Sequence, residues 1–267
     1  MKISQVTAIG FLRALRNGRT RPLLLNCQNV LGEDFEVVTK FRGREMDGRS
    51  QLVELVSAQL ADDLGLDVPG VAVVDIPTDF AEIISDADDA AMVRQSVGLN
   101  FGSIHFGQGF TTWPPERAPH GAQRDQAAAI FAFDTLTQNP DRRAQNPNLW
   151  SRSDRLGVYD HEQAFSFLFL PIIGGAPRPW NPADQAAGFP FLENHIFYGS
   201  LRSSRFDLDP FEERLSDLSD SKLQSYIDSV PASWREGNDL CEQISAYLQE
   251  ARQERKKLIG FVKHILR

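Results

Sequence analysis

The chain has 267 residues, 42% of them hydrophobic and 24% charged, with a formal net charge of −8. That balance excludes disorder over most of its length, and the acidic sign argues against a broad basic face gripping duplex DNA. No run of about 18 apolar residues predicts a membrane span, and two distant cysteines, Cys27 and Cys241, exclude a disulfide framework.

The opening Met-Lys-Ile-Ser carries no apolar signal core, so a reducing cytoplasm is the expected compartment. Histidines are scattered and no cysteine pairs accompany them, which argues against a dedicated zinc site. Residues 5–41 read as strands: "VTAIGFLRAL", "RPLLLNC" and "DFEVVTKF". The connectors "RNGRT" and "QNVLGED" combine Gly with Asn or Asp, so the spacing predicts a three-stranded antiparallel meander.

"DGRSQLVELVSAQLADDLGL" places Leu52, Leu55, Val56, Leu60 and Leu64 at helical spacing, with Asp47 or Ser50 to cap it and Gly65 to close it. "VPGVAVVDIP" returns to strand. Residues 77–97 are acidic and weakly patterned, a helix plus loop. "GLNFGSIHFGQGFTTWPPERAPHG" reads as a long irregular connector, the seam between two lobes. "AQRDQAAAIFAFDTLTQ" is a helix that must stop near Asn139, because the residue before a proline disfavours helical backbone angles. "NLW" and "LGVYD" read as short strands joined by a polar turn. Residues 171–190 are loop, and the remainder is helical with breaks at Pro210, Pro231 and Gly237.

Polar residues recur where these elements stop. Lys40 ends the third strand, sharing a face with Val38. Glu54 lies on the next helix beside Ala58 and Ala61, with Glu45 a rival partner for the lysine. Asp141 and Asn146 stand five residues apart in the loop "TQNPDRRAQNPNLW", and Asp160 closes the hairpin that follows. Strand lysine, helix glutamate, Asp-x-x-x-x-Asn loop, hairpin and aspartate form the order that phosphoryl transfer of the protein-kinase type requires. The reaction needs positioning and charge neutralisation. A lysine held by a carboxylate offsets phosphate charge, an aspartate orients the acceptor hydroxyl, and an amide and a carboxylate offer oxygens to Mg²⁺. Asp134, inside the apolar helix, reads as structural, and Arg142 and Arg143 read by default as a solvated pair, with a phosphate or a loop carboxylate as the alternative partner.

The words "GRTRPLL", "VVTKFRG", "QLVELVSAQLADDLGLDVPG", "GLNFGS", "DRRAQNPNLW" and "VYDHE" resemble, in order, the HipA-like kinases, most closely their short branch. The likeness covers the first two-thirds of the chain. It implies an α+β, two-lobed protein-kinase-like fold. A small antiparallel-sheet N-lobe would span residues 1–112, including the hinge region, and a mostly helical C-lobe 113–267. It implies an ATP- and Mg²⁺-dependent kinase acting on a hydroxyl, with Ser or Thr of a protein the first reading. A small-molecule or lipid phosphotransferase and a catalytically weak nucleotide-binding regulator are the alternatives. Carried over by motif, Asp141 and Lys40 are catalytic, Glu54 holds Lys40, and Asn146 and Asp160 are the metal ligands. Asn17, Gly18, Arg19 and Thr20 stand where a phosphate-covering loop would be. That turn has no GxGxxG, and His161-Glu162 follows Asp160 where common protein kinases carry Phe-Gly. The expected partners are a phospho-acceptor and an antitoxin-like protein.

Overall fold

The computed structural model describes residues 1–15, 20–42, 47–105, 109–169, 175–202 and 204–267. In chain order the strands are β1 (Ile3–Ala14), β2 (Leu23–Gln28), β3 (Asp34–Lys40), β4 (Val71–Ile76), β5 (Gly98–Ile104), β6 (Thr111–Thr112), β7 (Leu149–Arg152) and β8 (Arg155–Val158). The helices begin with α1 (Gly48–Asp63), α2 (Ala87–Arg94) and α3 (Gln123–Thr137). They are followed by α4 (Pro182–Ala187), α5 (Tyr198–Leu201), α6 (Asp209–Asp217), α7 (Asp220–Ser229), α8 (Ala232–Arg235), α9 (Leu240–Gln253) and α10 (Arg255–Ile265). None of the described helices is long and apolar enough to cross a membrane. Cys27 and Cys241 are buried and not joined in a disulfide, and burial pushes the Cys27 thiol up to about 12.

Residue contacts divide the chain into two compact units. The first is Met1–Leu55, Pro69–Gln108 and Ser229–Asn238; the second is Val56–Val68, Gly109–Asp228 and Asp239–Arg267. The first holds a closed barrel of order β1-β2-β3-β5-β4. The expected three-stranded meander is its opening, since β1, β2 and β3 pair antiparallel. The expected small antiparallel sheet needs correction, because β1 also pairs parallel with β4 and closes the ring. The length of β1 permits this. Ile3–Thr7 pairs with β4 and Thr7–Ala14 with β2, with register shifts at Ala8/Gly10 and Phe11/Arg13 that bend the strand from one neighbour to the other.

A second correction concerns "GLNFGSI", expected as irregular connector. It is β5, paired with both β3 and β4. Its glycine is required rather than disruptive: a Cβ at Gly102 would lie 2.4 Å from Val37 Cγ1 and 2.8 Å from Val74 Cγ2. Val37 and Val74 belong to a core with Val6, Leu23, Leu25 and Cys27, sealed by Phe80, Ile84, Met92 and Val93.

Asp47 caps α1 by accepting the Ser50 amide at 3.0 Å, and Gly65 ends the following turn at φ +85°. The residues from Gln51 to Ala61 are all buried, so α1 has no solvated face.

The second unit contains α3, the sheet β6-β7-β8 and most of the later helices. From Ala127 onward the Ala-rich α3 buries every residue but Ala129, and it ends at Gln138, which takes left-handed angles (φ 50°). The Asn139 amide then reaches back to the Asp134 carbonyl at 2.9 Å, closing the helix one residue before Pro140. Gln138 Nε2 is held by the Pro177 carbonyl at 2.7 Å and by Tyr247 Oη at 3.1 Å. Within the stretch 171–190, expected as loop, the described residues include α4 and the start of a 3₁₀ turn, Pro190–Asn194.

Candidate active site

In the first unit, strand alternation sets Val38 and Lys40 on the face opposite Val37 and Thr39. Gln51 ties α1 to both β3 and β5. Its Nε2 donates to the Lys40 carbonyl at 3.0 Å and its Oε1 accepts the Phe101 amide at 3.2 Å. One helical turn on, the Glu54 carboxylate meets Lys40 Nζ in an ion pair. Lys40 is 7% exposed and Glu54 1%. Desolvating both charges costs more than a surface pair returns, so burial of this kind is weak evidence for stability and points instead to a site. Glu45, the rival partner, lies outside the described residues, as do Asn17, Gly18 and Arg19; Thr20 is described, and buried.

In the second unit, the loop after α3 folds back on itself. Arg143 and Asn146 exchange main-chain bonds, Arg143 N to Asn146 O at 3.2 Å and Asn146 N to Arg143 O at 3.0 Å, around the exposed Ala144 and Gln145. That turn returns Asn146 to Asp141, and Asn146 Nδ2 donates to Asp141 Oδ2 at 2.6 Å. Arg143 Nη2 donates to Asp141 Oδ1 at 3.0 Å. The Asp141 main chain is fixed from the other side, its amide donating to Asn139 Oδ1 at 3.1 Å.

Arg142 is 1% exposed, which corrects the expectation of a solvated pair for that residue. Its Nε and Nη2 bind the two oxygens of Asp134, the latter at 3.2 Å, and its Nη1 donates to the Asn148 carbonyl at 2.7 Å. His195 Nε2 joins Asp134 Oδ2 at 3.0 Å. Burial alone would raise the Asp134 carboxyl; the Arg142 charge and the bonds from His195 and Arg142 outweigh it and hold it below the usual carboxylate range. For His195, burial is the larger influence and lowers its proton affinity despite the pull of Asp134.

Asp160 lies just beyond β8 in left-handed backbone (φ 59°), a conformation that aspartate tolerates better than most residues. Asp160 and Glu162 each present a carboxylate oxygen within 4.8 Å of the other. Asn146, whose Nδ2 donates to Asp141, is the residue whose amide oxygen would serve as a further ligand. Amide and carboxylate oxygens are the donor set a hard cation such as Mg²⁺ takes, so these residues fit that ion. The neighbouring His161 is buried, its ring edge-to-face with Phe133 at 5.5 Å.

The structure thus brings Lys40 to Glu54 in one unit, and Asp141 to Asn146 in the other. Sequence reasoning assigned no role to Asn139, His195 and Glu162, and read Arg142 by default as solvated. One available signal was Asp134, a charge inside an otherwise apolar helix that demands a partner.

Over residues 8–170 the sequence matches the family model described as HipA-like kinase. No curated protein matches the chain. Among solved structures it is similar to the crystal structure of the proinflammatory kinase CtkA of Helicobacter pylori. The TM-score is 0.52 at 12% identity, covering 98% of this chain and 96% of that one. At that identity the likeness is one of fold, a mixed α+β architecture.

Proposed function

The chain belongs to the HipA-like kinase family, and from that premise we propose that it transfers the γ-phosphate of ATP, with Mg²⁺, to a hydroxyl group. Lys40 offsets nucleotide phosphate charge and Glu54 fixes its ammonium. Asp141 orients the acceptor hydroxyl and takes its proton. Asn146 and Asp160 would hold the metal, with Glu162 beside Asp160; the ion, when bound, would supply further charge neutralisation on the phosphates.

The observation that carries this reading is the buried Lys40–Glu54 ion pair. A strand-end lysine and a helix glutamate without a polyanion to bind would ordinarily remain in solvent. The acceptor we assign is a Ser or Thr of a protein, because the Asp141 loop carries an exposed rim, Arg143 to Gln145, open to a large acceptor. Two buried cysteines that are not joined in a disulfide support a reducing, cytoplasmic setting. One feature favours a second reading: the sequence between the first two strands has no GxGxxG, which suits a nucleotide-binding regulator with little turnover.

Incubating the purified chain with labelled Mg-ATP, then locating phosphate by mass spectrometry, separates these readings. Label on Ser or Thr of the chain or of added protein is expected. Label only on added small molecules or lipid would move the acceptor class. Binding without turnover selects the regulator, and absence of ATP binding overturns the proposal.

A further inference from the structure

We propose that Asn139, Arg142 and His195, gathered on the buried carboxylate of Asp134, are positioning residues that hold Asp141 in its transfer geometry. This rests on the phosphotransfer reading of Asp141 given above.

A single carboxylate grips the residues on both sides of Asp141. On the N-terminal side, Asn139 Nδ2 donates to Asp134 Oδ1 at 3.3 Å while Asn139 Oδ1 accepts the Asp141 amide at 3.1 Å. On the C-terminal side, the Arg142 guanidinium spans both oxygens of the same carboxylate. The segment after Asn194 closes the arrangement twice, through the His195 ring on Asp134 and through the Ile196 amide, which donates to the Arg142 carbonyl at 3.0 Å.

The state of the histidine follows from its partners. The Phe197 amide donates to His195 Nδ1 at 3.1 Å, so that nitrogen carries no proton. The ring is therefore the neutral tautomer with hydrogen on Nε2, donating to Asp134. Asp134 then receives four donors, and its one negative charge is matched by the one positive charge of Arg142. A core that needed only stability would be served as well by apolar side chains of the same volume. This one spends its polar contacts on the residues that flank a single, partly accessible carboxylate.

The test compares wild type with Asn139→Ala, His195→Gln and His195→Phe, each checked for an intact fold by circular dichroism. Two quantities are read: amide hydrogen exchange over residues 141–148, and kcat against Kd for Mg-ATP. Expected for Asn139→Ala and His195→Phe is faster exchange confined to that loop and kcat lowered by up to about a hundredfold, with Kd unchanged, because small misplacements of a positioned group cost that much. His195→Gln, which keeps an N–H for Asp134, should recover most of both readouts. Unchanged loop exchange in Asn139→Ala overturns the proposal, as does a fall in kcat and ATP affinity together across all variants. Should His195→Phe fail to fold, Asn139→Ala decides alone. Should wild type lack turnover while loop exchange still rises in the variants, the bracket stands and the phosphotransfer reading falls.

Discussion

Asn146 donates its side-chain amide to Asp141 at 2.6 Å, although five positions separate them in the chain. The main-chain bridge between Arg143 and Asn146 makes the spacing a ring closure: Ala144 and Gln145 form the turn, and the residue after it lands on the aspartate. One glycine inserted between Ala144 and Gln145 should leave the fold intact and lower phosphate transfer by about a hundredfold, the cost of small misplacement. Turnover beside a thermal melt checks this; an insertion with wild-type turnover would remove the loop from the mechanism.

Lys40→Met should separate stability from activity. Removing one partner of a buried ion pair should cost about 3–5 kcal/mol. Replacing Glu54 by Leu in the same chain should recover much of that stability. Turnover should stay low in both variants. Urea denaturation and steady-state kinetics on the single and double variants give the answer, and recovery of turnover in the double variant would contradict the role assigned to Lys40.

Metal dependence divides the site residues differently. Asp160→Ala should abolish the increment in ATP affinity that Mg²⁺ provides and leave metal-free binding unaltered. Asp141→Ala should leave both unaltered while reducing turnover by at least two orders of magnitude, as loss of a transition-state contact worth about 3 kcal/mol would. Calorimetry with and without Mg²⁺ measures the first, and an Asp160→Ala chain that keeps the full increment would reassign the ligand.

Gly102 lies where β5 packs against Val37 and Val74. Gly102→Ala should destabilise the chain by about 1–3 kcal/mol, because the new methyl meets Val37 and Val74 inside a packed core. Val37→Ala should restore part of the loss in the double variant. Equal melting temperatures for wild type and Gly102→Ala would show that the strands can separate to admit it.

Acid should weaken the second unit in two steps. His195 has a lowered folded pKa, so its unfolded form binds the proton first; stability contributed by the neutral ring is present above the ordinary 6.5 and falls as pH drops below it. Asp134 is lowered too, so its contribution is present above the ordinary 3.8 and is lost as pH falls through the folded value. Denaturation free energies measured from pH 7.5 to 5 should decline less steeply in His195→Gln than in wild type.

What the sequence made legible was local. Alternation placed Lys40, proline placed the end of α3, and spacing paired Asp141 with Asn146, because each depends on residues within a few positions. The parallel closure of the barrel joins Ile3 to Val71, and no pattern near either residue announces it. β5 was hidden by the glycine that makes it fit. Arg142 was unreadable for a related reason: whether an arginine faces water depends on what waits for it, and its partner Asp134 is itself completed by His195, 61 positions further on.

The loop around Asp141 has an inward half and an outward rim. Arg142 and Asn139 are buried and committed to Asp134, whereas Arg143, Ala144 and Gln145 are exposed. On the proposed reading, a change of acceptor can be written into the rim without disturbing the fixed half. Related chains would be expected to diverge at 143–145 while staying alike at 139, 141, 142 and 146, and a library randomised at the three rim positions is the direct way to retune what the protein phosphorylates.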